Sequence, residues 1–155
     1  MSAATDAPVC AELAGLRRRM ASMLYESLLL LGVLSAAFVL PWMLALWLLD
    51  VRNPPPWLGW LELLHILAIS GGYFVWYWHR HGQTLAMQTW RLKVVAAADG
   101  RNPSWQRAAL RYMLSWPSVL LCGIGIVWAL LDRDRLFLHD RLAKTRIVLL
   151  PPVKR

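Results

Sequence analysis

Cysteine and acidic residues are scarce in this 155-residue chain. The two cysteines, Cys10 and Cys122, give neither a disulfide framework nor metal-ligand spacing, so we interpret both as free thiols. Nine acidic side chains stand against 17 basic ones, for a formal net charge of +8. In a soluble protein this charge suggests nucleic-acid binding, but here the basic residues flank long apolar runs. That placement is typical of the cytoplasmic edge of a membrane, so we expect no nucleic-acid partner.

The sequence also lacks the residue groupings on which most enzyme classes depend. It contains no recognisable Ser/His/Asp set, no phosphate-cradling glycine loop and no closed set of metal ligands. We therefore predict that the protein is not an enzyme and that it carries no cofactor or metal.

Charge is absent from a long run near the N-terminus. Ser27–Leu49 holds no charged side chain and is long enough to cross a hydrocarbon core of about 30 Å. The arginines at 17–19 precede it, and no small-residue cleavage site ends it, so an uncleaved anchor is predicted. Pro41 is expected to kink this first helix or to reorient its outer half.

A second span is predicted at Trp57–Trp78, after a proline-rich outer connection at Asp50–Gly59. Glu62 and His65 are three residues apart on one face of this helix, where they are read either as outer interfacial groups or as two ligands of a metal or proton relay. Gly71-Gly72 offers a smooth surface for the close approach of another helix.

The third apolar run, Tyr112–Leu131, has the length of a span but contains Pro117 and Gly123-Ile124-Gly125. A full crossing would place the basic C-terminal tail outside, against the positive-inside tendency. A helix–break–helix hairpin that returns to the cytoplasm removes this conflict.

Two short segments have the pattern of strands. Thr89–Val95 alternates polar and apolar residues before the turn signal Asp99-Gly100, and Thr145–Leu150 is ended by prolines. They can pair only if they lie on one side of the membrane, which predicts a cytoplasmic C-terminus as well as a cytoplasmic N-terminus.

The predicted fold class is an all-α membrane protein. It has two transmembrane helices, a broken third helix or re-entrant hairpin, and a small cytoplasmic two-stranded patch. We divide the chain into an N-terminal tail at 1–16, a membrane domain at 17–150 and a C-terminal tail at 151–155.

Three polar groups are candidate functional sites. Arg19 and Glu26 are seven residues apart, so they share a helix face about 10.5 Å apart along the axis, and a third polar group could bridge them. An acid in or near a spanning helix is a functional candidate by default. The alternation from Asp132 to Arg135 is most simply a solvated interfacial segment. His139-Asp140 is either a metal or proton site or, as we favour, a hydrogen-bonded pair that fixes the tail.

These features together resemble the RDD family of small bacterial inner-membrane proteins, named for one arginine and two aspartates. The opening pattern of the family is matched by Arg19 and by Glu26, where glutamate replaces aspartate. Further matches are Gly82–Met87, Trp90–Val95, Asp99-Gly100, Arg107–Arg111, Gly123, Gly125, Trp128, Asp132, His139–Ala143 and Thr145. The resemblance covers roughly residues 17–149, and it makes Asp140 the second named aspartate, with Asp132 as the alternative.

The resemblance implies a multi-pass protein of the bacterial inner (plasma) membrane, where transport of ions has been suggested for some members. Two hypotheses follow. The first is a small cation/proton transporter, or a subunit of one, with Glu26 at its centre. The second is a non-catalytic membrane module that binds a partner protein or organises lipid. The expected partners are membrane lipid and either a second copy of the chain or another membrane protein.

Overall fold

The computed structural model describes residues 12–51, 54–120, 124–132, 134 and 136–151. The helices are α1 (Leu16–Leu34), α2 (Leu40–Leu48), α3 (Pro56–Arg80), α4 (Leu85–Thr89), α5 (Trp105–Leu120), α6 (Ile124–Leu131) and α7 (Leu138–Leu142), and the strands are β1 (Leu92–Ala96) and β2 (Thr145–Leu149). Cys10 and Cys122, interpreted above as free thiols, lie outside the described residues.

The first apolar run forms one continuous helical segment with a widened turn in its middle. The π-helical turn Ser35–Val39 joins α1 to α2, and the N–H of Leu40 donates to the carbonyl of Ser35. Pro41 follows at once, near the start of α2. Proline lacks an N–H and crowds the preceding turn of a helix, which is consistent with the π-turn just before Pro41. A π-turn in turn provides a physical reason for the predicted reorientation of the outer half of the helix.

The second run forms α3, which is longer than predicted at both ends. Among the helices that the structure describes, α3 alone has both the length and the apolar composition to cross a membrane. The π-turn leaves α1 and α2 as two shorter elements, so the prediction of two spanning helices is supported for α3 only. The connection predicted at Asp50–Gly59 is shorter in the structure, because α3 already begins at Pro56. Proline is tolerated at the first position of a helix, where its missing N–H would have no partner within the helix.

The third run is divided into two helices, α5 and α6, that pack against each other. Pro117 lies inside α5, which continues to Leu120, so this proline does not break the run as predicted. It falls in the last turn of the helix, and its cost is limited to the one hydrogen bond that an N–H at this position would donate to the carbonyl of Met113. The interruption comes between Leu120 and Ile124, and Gly123 lies outside the described residues.

The two predicted strands form an antiparallel pair. Leu92 is opposite Leu149 and Ala96 is opposite Thr145. The strand predicted at Thr89 begins only at Leu92, because the preceding residues form α4, capped by Thr84. Leu13, before α1, forms an isolated bridge with Val148. Segments that pair in this way must share one side of any membrane that the protein crosses.

The buried core is small and lies next to this sheet. It consists of Ala14, Val75, Trp78, Met87, Leu92, Val94, Ala108, Ala129, Phe137 and Ile147. Away from the sheet, the first three helices expose large apolar side chains, including Leu24, Leu28, Leu31, Leu40, Trp47, Trp60 and Leu64. Such a distribution is typical of helices that face lipid rather than water.

Candidate functional site

A cavity of about 410 Å³ lies between α1, α3 and α5, and one residue from each strand, Leu92 and Ile147, also lines it. Its polar lining consists of Arg19, Ser22, Glu26, Ser27, Ser70, Trp78, Thr84, Arg111, Tyr112, Ser115 and His139. Its apolar lining consists of Met23, Leu30, Leu31, Leu34, Ile66, Phe74, Met87, Leu92, Trp116 and Ile147. Three of the five candidate residues, Arg19, Glu26 and His139, therefore meet in one cavity.

Arg19 and Glu26 lie on the same face of α1, as their spacing predicts, and both are buried. The Nε of Arg19 donates to the carbonyl of Ala14 at 2.6 Å, and its Cζ lies 5.7 Å from the centroid of the Phe137 ring. Ser22, which is also buried, stands between the two on this face.

The carboxylate of Glu26 is held by hydroxyl groups from two other elements. Tyr73 on α3 donates to Oε1 at 2.8 Å, and the Thr84 hydroxyl donates to Oε2 in a short contact. Both carboxylate oxygens therefore have a donor, which offsets the cost of burying the carboxylate.

Arg111 and Asp140 form the most deeply buried ion pair described. Thr145 on β2 joins them: its hydroxyl oxygen accepts from Arg111 at 3.2 Å. The guanidinium also lies over the Trp78 ring, 4.7 Å from its centroid. Burial, with a smaller effect of the Arg19 charge, lowers the pKa of Arg111 to about 9, so this side chain stays protonated at neutral pH.

His139 is buried beside this pair. Its ring stacks on Phe137 with centroids 5.4 Å apart, and Nε2 lies 3.8 Å from Asp140 Oδ1. Burial, followed by repulsion from Arg111, lowers the pKa of His139 to about 3. The imidazole is therefore neutral at physiological pH, and Asp140 pairs with Arg111 rather than with an imidazolium ion.

Asp132 lies elsewhere and does not behave as a solvated charge. It is buried, forms an ion pair with Arg141 in a short contact, and accepts from the N–H of Leu136 at 3.0 Å. The expectation of a solvated segment is wrong for this residue, because the chain after α6 turns back onto it. Asp134 is exposed, in agreement with the expectation, and Arg133 and Arg135 lie outside the described residues.

The sequence interpretation assigned no site role to four cavity-lining residues, Trp78, Thr84, Arg111 and Tyr112, or to Tyr73, which donates to Glu26. Arg111 belongs to the basic inner loop and to the matched segment Arg107–Arg111, but neither feature specified a role for it. A further signal was its position directly before an uncharged run of twenty residues, where an arginine contacts little water. The hydroxyl groups could not be selected from the sequence, because serine, threonine and tyrosine also occur at other positions.

Glu62 and His65 line a second cavity of about 400 Å³ between α2 and α3. The ring of His65 lies 5.1 Å from that of Phe38 in the π-turn. Over the described ranges, no group of three or more His, Cys, Asp or Glu side chains is placed to hold a metal ion.

The helical fold, the lipid-like exposure of α1–α3 and the charged groups gathered at one end of a cavity define a mostly helical membrane protein. The model of the RDD family matches residues 13–144, which is most of the chain. The protein therefore belongs to the RDD family. The searches of curated proteins and of solved structures gave no match.

Proposed function

We propose that this protein is a non-catalytic membrane module that binds a lipid or similar amphiphile in the cavity between α1, α3 and α5. The proposal rests on one observation, namely that the cavity wall has a polar part and an apolar part. Charged and hydrogen-bonding groups such as Arg19, Glu26 and His139 line one part, and aliphatic side chains such as Leu30 and Leu34 line another. An amphiphile has the same division between headgroup and chain.

The dimensions of the cavity agree with this occupant. Its volume falls within the range of about 300–1,000 Å³ in which proteins hold small organic molecules. Along α1 it extends from Arg19 to Leu34, a helical rise of about 22 Å, which suits an extended alkyl chain. Leu31, in the apolar part of its wall, is an exposed side chain, so a lipid can enter sideways from the bilayer.

The charge distribution supports a particular orientation in the bacterial inner membrane. Six Lys or Arg residues lie between His79 and Arg111, whereas Asp50–Gly59 holds one. By the positive-inside rule, the sheet and the polar end of the cavity face the cytoplasm, and the apolar end extends into the membrane. The lipid then belongs to the cytoplasmic leaflet.

The test is to purify the full-length protein in a mild detergent and count retained lipids by native mass spectrometry. We expect about one lipid per chain in the wild type and a marked loss in Leu30→Trp, which fills the apolar part of the cavity. Leu28→Trp is the matched control, because Leu28 is exposed and lies outside the cavity. Equal lipid retention in the two variants would contradict the proposal.

A second candidate function, proton-coupled cation transport, is favoured by one observation. Glu26 is a buried carboxylate in contact with the hydroxyl groups of Tyr73 and Thr84, which are suited to passing protons. A complete pathway through so few helices requires more than one copy of the chain. In inside-out vesicles, a sodium- or potassium-driven pH response should then be lost in Glu26→Gln and kept in Glu62→Gln. No response in the wild type at normal abundance would eliminate this candidate.

A further inference from the structure

Three side chains in the wall of the cavity each contain a buried nitrogen atom that has no hydrogen-bond partner in the described part of the chain. These atoms are Nε1 of Trp78, Nε of Arg111 and Nδ1 of His139. Each belongs to a side chain that is more than nine-tenths buried and lines the cavity. Buried polar groups are almost always paired, and an unpaired one costs free energy, so this cluster points to a missing acceptor.

The chemistry of these atoms specifies an acceptor rather than a donor. The indole nitrogen and the guanidinium nitrogen can only donate, and a neutral imidazole donates from Nδ1 in one of its two tautomers. The Arg111 guanidinium lies over the Trp78 ring, which places these two groups next to each other. A carboxylate or phosphate oxygen can accept from both.

The donor groups of the wall, rather than its net charge, favour an anion over a cation. Arg19 and Arg111 both line the cavity, and Glu26 is the acidic residue among its lining side chains. Both carboxylate oxygens of Glu26 already accept from Tyr73 and Thr84, which occupies about half of the roughly four acceptor positions of a carboxylate. Arg111 still has a donor after its ion pair has formed, because its Nε has no partner among the described residues.

We propose that the cavity is specific for an anionic single-chain amphiphile. Its phosphate or carboxylate accepts hydrogen bonds from Trp78 and Arg111 beside His139, and its alkyl chain lies along Leu30 and Leu34. This inference rests on the proposed function and specifies its ligand class. Arg19 contributes positive charge to the headgroup site, and the ion pair between Arg111 and Asp140 orients the guanidinium.

The experiment compares two lysolipids with the same chain on the full-length protein in detergent. Lysophosphatidic acid supplies the anionic headgroup, lysophosphatidylcholine supplies the zwitterionic control, and inorganic phosphate is added as a competitor. We expect lysophosphatidic acid to bind about tenfold more tightly than lysophosphatidylcholine, as expected for charge-assisted hydrogen bonds. Inorganic phosphate should not compete at the concentrations at which the lysolipid binds, because it lacks the chain.

The matched variants are Trp78→Phe and Trp76→Phe on the same helix. The first removes the indole N–H and keeps an aromatic ring below Arg111, whereas Trp76 is exposed and outside the cavity. Trp78→Phe should lose about tenfold in affinity for lysophosphatidic acid, while Trp76→Phe should bind it as tightly as the wild type. Thermal unfolding of both variants confirms that each is folded.

Each other outcome has a defined meaning. Equal affinity for the two lysolipids would overturn the headgroup inference and leave the proposed lipid-binding function standing. Binding of neither lysolipid by the folded wild type would overturn both. Competition by inorganic phosphate at lysolipid concentrations would show a free-anion site and overturn the inference that the ligand is an amphiphile.

Discussion

Arg111 on α5 and Asp140 on α7 form an ion pair from which water is excluded. The pair connects α5 to α7, and Thr145 connects both to β2. The two residues are 29 positions apart in sequence, and each would be unfavourable in a buried site without the other. Their pairing therefore holds the segment after α6 against α5 and next to the sheet.

The first prediction concerns this pair. Asp140→Asn should destabilise the protein by about 3–5 kcal/mol, because it leaves the Arg111 charge buried without its counterion. The measurement is thermal or denaturant unfolding of the purified protein in detergent. Asp134→Asn serves as the control at an exposed aspartate and should change stability little.

The same pair gives a double-mutant test. Replacing both members, as Arg111→Met with Asp140→Leu, should cost less than Asp140→Asn alone, because no uncompensated charge remains in the interior. If the double variant is instead less stable by the sum of the two single losses, the pair is not coupled as the structure indicates.

The second prediction concerns the contact between α3 and α5. A Cβ added at Gly71 would lie 2.8 Å from Cε1 of Tyr112, whereas one added at Gly72 would meet no atom within 4 Å. Gly71→Ala should therefore cost about 1–3 kcal/mol from overpacking. Gly72→Ala, the matched control, should be neutral or stabilise by up to about 1 kcal/mol through helix propensity. Unfolding in detergent measures both, and equal effects would place α5 further from α3.

The features predictable from sequence are those with a local or a periodic signal. The strand pair followed from alternation and turn residues, and the close approach of a helix at Gly71 followed from its lack of a side chain. The shared face of Arg19 and Glu26 followed from helix geometry. The RDD pattern identified the family.

The partners of these residues were not predictable in the same way. The groups that bind Glu26 are 47 and 58 residues away in sequence, so their contacts depend on how α3 and α4 pack against α1. Asp132 looked solvated because its neighbours in sequence are charged, but its partner Arg141 comes from a later turn of the chain. The short α4 was missed because a five-residue helix has too few residues for a periodic pattern.

The third prediction is a pH dependence that originates at His139. Its folded-state pKa of about 3 lies below the ordinary value of 6.5, so the unfolded chain binds a proton that the folded chain excludes between these two pH values. Stability contributed by this residue is present above pH 6.5 and decreases as the pH falls toward 3. The slope is at most about 1.4 kcal/mol per pH unit.

Comparison with a variant isolates the contribution of His139. His139→Asn should flatten the fall in stability below pH 6.5, whereas His81→Asn, at an exposed histidine, should follow the wild type. Thermal unfolding in detergent across this range provides the measurement. A parallel decline in the wild type and His139→Asn would assign the acid sensitivity to the carboxylates instead.

The last prediction is the orientation of the protein in the membrane. β1, β2 and Leu13 are joined by backbone pairing, so they lie on one side of the bilayer. The six Lys or Arg residues between His79 and Arg111 predict, by the positive-inside rule, that this side is the cytoplasm. A fluorescent protein fused after Arg155 should therefore fold and emit, and alkaline phosphatase fused there should be inactive. Fusion of the two reporters after Val51, in the connection between α2 and α3, should give the reverse. Active phosphatase after Arg155 would place the sheet outside, and with it the polar end of the cavity, so the lipid would have to come from the outer leaflet.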